Sequence, residues 1–536
     1  MLRLLIRLSL FLPLLSSPAF FGSDLEPTRQ EVLNAMKRAS GFMMNTVSYR
    51  GGFVWHYSSD LSKQWGELPA RPSQIWVQPP GTPTVGTMFL DAYKATGDAL
   101  YLKYAEKVAA ALIWGQHPSG GWHYFIDFDP SGVQKWYEEV ATKARGWEEF
   151  YHYYGNCTYD DDTTTSPIRM LLDLYISTSN PKYKGPLLKA LDFVLESQYP
   201  NGAWPQRYPL RSDFPSEKRP DYTGFYTFND DVTSNSIYLL LEAHEKLGNE
   251  TYLKSAKRGM DFYLISQMPS PQSGWAEQYD FDMNPAWSRT YEPASICLDQ
   301  TLDNIKELES FYRITGDRKY LEPIPSAIQW IENSILNKDS SKGFTHANFY
   351  EIKTNKPLVV HHEHRQLPDG KFEIVRYWVD HELGEERSIE REMPASKNKK
   401  ATGYHLGVEY QDSHYKTFEP RIIDIQLLKK RFSELNTLTL DQVREKFGKG
   451  IQRPPRASDR RSQATASPAE LKELITSMDH RGAWLTDIEF LDMLDFTHNP
   501  PTAFKGIDTG TFVSNMYKLM NFVKSSAQLE RPTLKQ

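Results

Sequence analysis

Residues 187–206 read LLKALDFVLESQYPNGAWPQ, and the fold follows from how that stretch recurs along the chain. Leu187, Leu188, Leu191, Val194 and Leu195 return at the three-and-four spacing of one helix face, which strand alternation does not give. A glycine-bearing turn then ends in Trp204. Equivalent aromatic turns stand at Phe53 (GGF), Trp122 (GGW), Trp275 (SGW) and Phe344 (KGF), so the five are separated by 69, 82, 71 and 69 residues. Between them LDAYKATGDALYL, LDLYISTSNPKY, LEAHEKLGNETYL and ESFYRITGDRKYL fall in register.

Each unit therefore reads as two helices and a loop. A period near 70 is about twice the ~34 residues of a tetratricopeptide repeat. The spacing predicts an all-α chain over residues 24–412, an α/α toroid (incomplete α/α barrel) of helical-hairpin repeats whose loops converge on one site. An open superhelix serving as a binding scaffold is the alternative.

The pattern changes from about 350 to 400, where runs such as KFEIVRYWVD alternate and predict a small β-containing insertion. Residues 453–469 (RPPRASDRRSQATASPA) are polar and basic and read as a linker. The segment 413–536 reads as a C-terminal helical extension around it.

A formal net charge of −6 with 24% charged residues gives no global basic field for nucleic acid, so an acidic ligand must be met by local cations. Arg3 and Arg7, an apolar run from Leu8 to Leu15 and Ser17-Pro18-Ala19 read as a signal peptide over 1–19, implying a secreted or periplasmic protein. That run is far short of the ~20 apolar residues a membrane span needs. Cys157 and Cys297 are the two cysteines, and either a bridge or two inert thiols fits them. Oligomeric state is not legible.

Three segments depart from what helix packing requires. Tyr159-Asp160-Asp161-Asp162-Thr163-Thr164-Thr165 puts three adjacent carboxylates before a helix, where one suffices as a cap. Phe228-Asn229-Asp230-Asp231-Val232-Thr233 stands one repeat later. Two acidic turns at equivalent points converge in a toroid and supply oxygen ligands to Ca²⁺, though neither has EF-hand spacing. The third, Trp275 to Pro293, is an aromatic-rich loop with Arg289 between Trp287 and Tyr291. An arginine stacked on aromatics and paired with Glu292 is the bland reading. His361-His362-Glu363-His364 has metal-ligand residue types without a second set, and reads as a surface hairpin.

The run YDDDTTTSPIR at 159–169 resembles the IDNxATTTQIR of the family 10 pectate lyases (pectic acid lyases). YPNGAWPQ at 199–206 is similar to their YPNGGWPQ, FNDDV at 228–232 to FNDNA, and FYEIKTNKPLV at 349–359 to FYEIxTNRPIF. WAEQYDFDMNPAWSRTYE, 275–292, resembles WCAQHDxxTLKPAxARxYE. Order and spacing hold over about 150 to 410.

The resemblance implies a catalytic base at Arg289, Asp160 and Asp230 as calcium ligands, and Arg376 as a clamp on substrate carboxylate. Asp161, Trp204, Asn229, Gln278 and Trp287 take substrate-binding places. Ala276 stands for the family's Cys, Tyr279 for its His and Asn284 for its Lys, and a second clamp falls to Arg365 or is missing. These departures bear on the polymer more than on the reaction. The implied activity is calcium-dependent β-elimination of a polygalacturonate-type acidic polysaccharide. A toroid glycoside hydrolase acting on uronic-acid oligosaccharides and a non-catalytic glycan-binding toroid are the alternatives.

Overall fold

The four in-register segments are helix-to-helix junctions, each built the same way. Helices Thr82–Thr96, Thr165–Thr178, Val232–Leu247 and Leu298–Thr315 end on a left-handed residue, Gly97, Ser179, Gly248 and Gly316 in turn. The N–H of each donates to the carbonyl four residues back. The next residue, Asp98, Asn180, Asn249 or Asp317, caps the following helix by accepting from a backbone N–H at 2.9–3.1 Å. Two residues thus stop one helix and start its neighbour.

The computed structural model describes residues 26–141, 150, 153–211, 221–289, 292–336, 344–366, 372–380, 389–392, 414–417, 421–450, 465–490 and 502–529. At 344, 359–366, 372–380, 389–392, 414–417, 489–490, 502–503 and 527–529 only the backbone is described. The expected signal peptide, 1–19, and most of the linker expected at 453–469 lie outside the described residues.

In chain order, twelve of the described helices follow one another in six successive pairs. Arg29–Phe42 goes with Thr82–Thr96, Ala99–Trp114 with Thr165–Thr178, and Lys184–Glu196 with Val232–Leu247. Glu250–Ile265 goes with Leu298–Thr315, Ile324–Asn333 with Ile425–Thr437, and Pro468–Thr476 with Thr509–Leu529. Second members pack in succession: Thr509–Leu529 on Thr82–Thr96, that on Thr165–Thr178, and that on Val232–Leu247. Tyr238 then hydrogen-bonds Glu307, and Glu309 pairs with Arg431. Ile425–Thr437 is buried only at Ile425 and Leu435, which leaves that end of the arc solvated. The all-α toroid expected from the periodicity is what the chain forms.

Glycine fixes how successive pairs meet. Two places before the aromatic residue, Gly51, Gly120, Gly202 and Gly482 have φ of +90°, +117°, +101° and +96°. A Cβ there would lie 2.7, 2.5, 2.0 and 2.8 Å from the carbonyl oxygens of Lys107, Lys189, Arg258 and Arg38 respectively. Each oxygen belongs to the first helix of the following pair, so the turn docks backbone to backbone. The indoles of Trp122, Trp204 and Trp484 each donate to the carbonyl ten residues back, at 2.8–2.9 Å.

These contacts correct the expectation of an appended C-terminal extension. Arg481-Gly482-Ala483-Trp484 is a sixth aromatic turn, and it docks on Arg29–Phe42, the first described helix. It stands 140 residues after Phe344, two periods rather than one, because the β insertion intervenes. Strand His56–Ser58 pairs antiparallel with Thr502–Asp508, and Thr509 Oγ1 donates to the Val54 carbonyl at 2.6 Å.

The insertion contains the hairpin expected from KFEIVRYWVD, with Pro357–Gln366 antiparallel to Phe372–Asp380. It is wider than expected: its sheet reaches Ile296–Cys297 through Phe349–Tyr350 and takes in His414–Thr417. Cys157 and Cys297 are buried free thiols. No helix among the described residues is long and apolar enough to cross a membrane.

Gly202→Ala and Gly482→Ala should each destabilise the chain well beyond Gly97→Ala. Gly97 has φ +72° but nothing within 4 Å of its would-be Cβ. Conformation alone costs about 1–3 kcal/mol there, and the carbonyl clash adds to it at the other two. Urea denaturation checks this, and a Gly482→Ala effect no larger than that of Gly97→Ala would mean the last turn does not hold the ring.

Candidate active site

The two acidic turns are conformational twins. Thr164 Oγ1 donates to the Thr158 carbonyl and Thr233 Oγ1 to that of Thr227, both at 2.7 Å. Asp161 and Asp162 have φ +48° and +63°, and Asp230 and Asp231 have φ +53° and +54°. Aspartate tolerates this left-handed region better than most side chains. The match sets Asp160 against Asn229 and Asp161 against Asp230, so the two carboxylates read as counterparts are offset by one position.

This backbone splays the three adjacent carboxylates onto different partners. Asp162 accepts from Thr165 Oγ1 at 2.7 Å and pairs with Arg169 at 3.3 Å. Asp161 accepts from Gln78 at 2.8 Å. Asp160 accepts from the Tyr124 hydroxyl and faces Arg289.

Arg289 joins the turns. Its Nη2 lies 3.1 Å from Asp160 Oδ2, and its Nη1 lies 2.8 Å from Asp230 Oδ2 and 3.1 Å from Glu292 Oε1. The Arg289 side chain is almost wholly buried, at 8% exposure, whereas that of Asp230 keeps 24%. Asn229 Nδ2 donates to Asp230 Oδ2 at 3.1 Å. Glu292 also accepts from Ser288 Oγ at 2.5 Å and from the Arg289 backbone N–H at 3.2 Å, fixing the loop that aims the guanidinium.

Burial drives the carboxyls apart in acidity. It opposes charge on Asp160, but Arg289, a hydrogen bond from Asp230 and the Tyr124 hydroxyl outweigh it and hold this pKa below the usual carboxylate range. Asp230 lies on the other side: burial, with repulsion from Asp160 and Asp161, outweighs Arg289 and pushes it well above. The pair therefore shares one proton. Glu67 is raised well above its ordinary value, first by burial and then by Asp161 and Asp160. Glu277 is raised to about 8, first by burial and then by Glu292.

Of the residues singled out in the sequence, Asp160, Asp161, Asn229, Asp230 and Arg289 come together. Trp204 does not: it is fully buried with its indole N–H spent on the Val194 carbonyl, so it packs the repeat and offers no face to a sugar. Gln278 is fully buried on the strand pairing with Tyr226–Thr227 and bonds Thr227 Oγ1 at 3.3 Å, which makes it a strut of the turn rather than a ligand contact. Trp287 packs on Cys297, Phe349 and Leu358. Arg376 stands on the strand opposite Glu363. Its side chain, that of Arg365 and residue Tyr291 lie outside what the structure describes. His361 to His364 fall on a hairpin strand, as expected.

The cluster contains further residues that carry no motif of their own. Tyr124 and Glu277 each stand two places after an aromatic turn, at Trp122 and Trp275, and Gln206 holds the same place after Trp204. That recurring position was the available signal. Glu67 carries none, since it stands in an irregular stretch of the first repeat. Arg207, fully buried over the rings of Tyr124 and Tyr154 at 5.1 and 5.0 Å, adds a second cation near Asp160.

Among the described residues no three His, Cys, Asp or Glu side chains are disposed to hold a metal ion. The chemistry of the donors nevertheless fits a hard divalent cation. Asp160 and Asp230 offer carboxylate oxygens, and Asn229 Oδ1 is buried without a hydrogen-bond partner among the described residues.

Residues 132–371 match the family model described as pectic acid lyase, so the resemblance carried by the motifs is borne out. No curated protein sequence matches the chain. Among solved structures the chain is similar to an aspartate-to-alanine mutant of a family 10 polysaccharide lyase from Cellvibrio cellulosa in complex with trigalacturonic acid. Identity is 20% and the TM-score 0.34, over 50% of this chain and 85% of that one. It is also similar to the glycoside hydrolase family 76 mannosidase Bt3792 from Bacteroides thetaiotaomicron, at 10% identity and a TM-score of 0.41, over 94% of this chain and 99% of that one.

Glu277 gives the site a pH signature. The folded protein keeps a proton that the unfolded chain releases near 4.5, so this group's contribution is fully present below 4.5 and lost as pH rises towards about 8. Glu277→Gln should remove that slope. Chemical denaturation of both proteins across this window should show the parent losing stability relative to the variant as pH rises, and parallel curves would contradict the assignment.

Proposed function

We propose that the chain is a polysaccharide lyase cleaving acidic, galacturonate-type polymers by β-elimination, with Arg289 as the base and Asp160 and Asp230 as ligands of Ca²⁺. The reading is supported by one observation above all. Arg289 lies 129 and 59 residues from Asp160 and Asp230 in sequence, yet bonds both. The pectic acid lyase match over 132–371 points the same way.

Elimination removes the C5 proton of a uronate, which is α to a carboxylate and weakly acidic until the developing enediolate is stabilised. Calcium, when bound, would neutralise that charge. The protein's own groups do the rest. Tyr124 and Arg289 keep Asp160 ionised, so one full negative charge is always available to a cation. Asp230 is the partner whose proton can leave when a cation arrives. Arg376, by resemblance, takes the substrate carboxylate.

An arginine base is chemically demanding, since a neutral guanidine at pH 7 costs roughly 7–9 kcal/mol. The negative charge on Asp160 beside Arg289 favours its charged form. A cation that draws off Asp160 and Asp230 works in the opposite sense, so base strength and metal occupancy are coupled. A hydrolase on the same residues is less well supported. It needs its carboxyls about 5–9.5 Å apart, whereas Asp160 and Asp230 are in hydrogen-bond contact. The expected leader at 1–19 fits an enzyme working on polymers outside the cell.

Incubated with polygalacturonate and calcium, the protein should release unsaturated uronates absorbing in the ultraviolet, faster above neutral pH and not at all with chelator. Arg289→Lys keeps a cation among the buried carboxylates, yet should lower kcat by about 10²–10⁴-fold with little change in melting temperature. Methylated pectin, rhamnogalacturonan and alginate define the polymer. Reducing ends without ultraviolet absorbance would overturn the reading in favour of hydrolysis, and binding without turnover in favour of a glycan-binding toroid.

A further inference from the structure

A second set of aromatics lies away from Arg289. The ring of Trp114, half exposed at 51% on the last turn of helix Ala99–Trp114, lies 4.4 Å from the Phe128 ring at 31°. Tyr49, 39% exposed, meets the same Phe128 edge-on at 5.7 Å. The guanidinium of Arg50 lies 5.0 Å over Phe128 and 5.9 Å over Tyr49.

Two features separate this patch from ordinary surface. The indole N–H groups of Trp55, Trp76, Trp122, Trp136, Trp204, Trp275, Trp330 and Trp484 are all spent on protein acceptors. That of Trp114 has no partner among the described residues. Arg50 forms no ion pair or hydrogen bond with them either. Asp129, next to Phe128 in sequence, accepts from Ser131 Oγ at 2.6 Å.

Arg50 is also held against its backbone preference. Tyr49 and Gly52 exchange two backbone hydrogen bonds at 3.0 and 2.9 Å around Arg50 (φ +50°) and Gly51 (φ +90°). A tight turn with both central residues at positive φ favours Asn-Gly, so a long cationic side chain here gains nothing locally. The patch thus pairs an open aromatic face with an uncommitted cation and an uncommitted donor. A uronic-acid polymer asks for this, because a pyranose face stacks on an indole and its carboxylate binds a guanidinium.

The position suits it. Tyr124, whose hydroxyl holds Asp160, begins the stretch that runs through strand Phe125–Asp127 to Phe128. At about 3.3 Å per residue the platform lies roughly 13 Å along the strand from Tyr124.

We infer that Tyr49, Arg50, Trp114 and Phe128 form a secondary binding platform that holds an acidic polysaccharide outside the reacting groups, on the assumption of the uronate substrate class proposed above. Trp114 supplies the stacking face and Arg50 the charge that selects uronate over neutral sugar.

Affinity electrophoresis of the full-length protein through polygalacturonate, alginate and neutral galactan, with chelator present, reads binding without turnover. Trp114→Ala and Arg50→Asn, the latter keeping a residue suited to the turn, should each weaken retention by polygalacturonate or alginate about 5- to 10-fold. Galactan should not retard the parent. In the cleavage assay both variants should raise KM for polymer and leave kcat in place. Retention equal to that of the parent, equal retardation by galactan, or a monomer–dimer shift caused by Trp114→Ala in sedimentation would overturn the platform. Retention that depends on Trp114, without any unsaturated product, would uphold the platform and overturn the lyase. Normal product with unchanged retention would do the reverse.

Discussion

One guanidinium ties three repeats together. Arg289 reaches Asp160 from the second aromatic-turn unit, Asp230 from the third and Glu292 of its own loop, under a cover that leaves it 8% exposed. A buried cation among carboxylates is tolerable only with its partners in place, and removing one partner of such a cluster typically costs about 3–5 kcal/mol. The geometry of the toroid is what delivers those partners. The docked glycines set the spacing between pairs, and the twin left-handed turns aim the side chains.

Much of the fold was legible. The ~70-residue recurrence of aromatic turns and the matching TGD, TSN, LGN and TGD junctions report real structure, because an αL residue followed by an Asx cap has few sequence solutions. The sixth pair was not legible, because the β insertion doubled the interval before Trp484 and a basic linker preceded it. The period was intact but hidden.

The candidate cluster was legible in part, and for a definable reason. Asp160, Asp230 and Arg289 stood out because clustered acids at helix starts and an arginine in an aromatic loop violate packing expectations. Tyr124 and Glu277 violate nothing in isolation. Only their recurrence two residues after a turn marks them. Trp204 and Gln278 failed in the opposite direction: they belong to motifs shared with the pectate lyases, yet here serve as internal struts. A motif can be kept for the turn it builds rather than for a ligand it touches.

The docking of the last turn on the first helix has a consequence for biosynthesis. Ser40 and Met516, 476 residues apart, touch in the folded chain. Val32, Met36 and Ala39, which share that helix, are fully buried. A chain emerging from the ribosome makes this apolar face about 476 residues before the helix that meets it. At ~5–20 residues per second the wait runs to tens of seconds, long enough for non-native partners to compete. A fold that joins helices so far apart in sequence therefore leaves an apolar face uncovered while its partner is still being made.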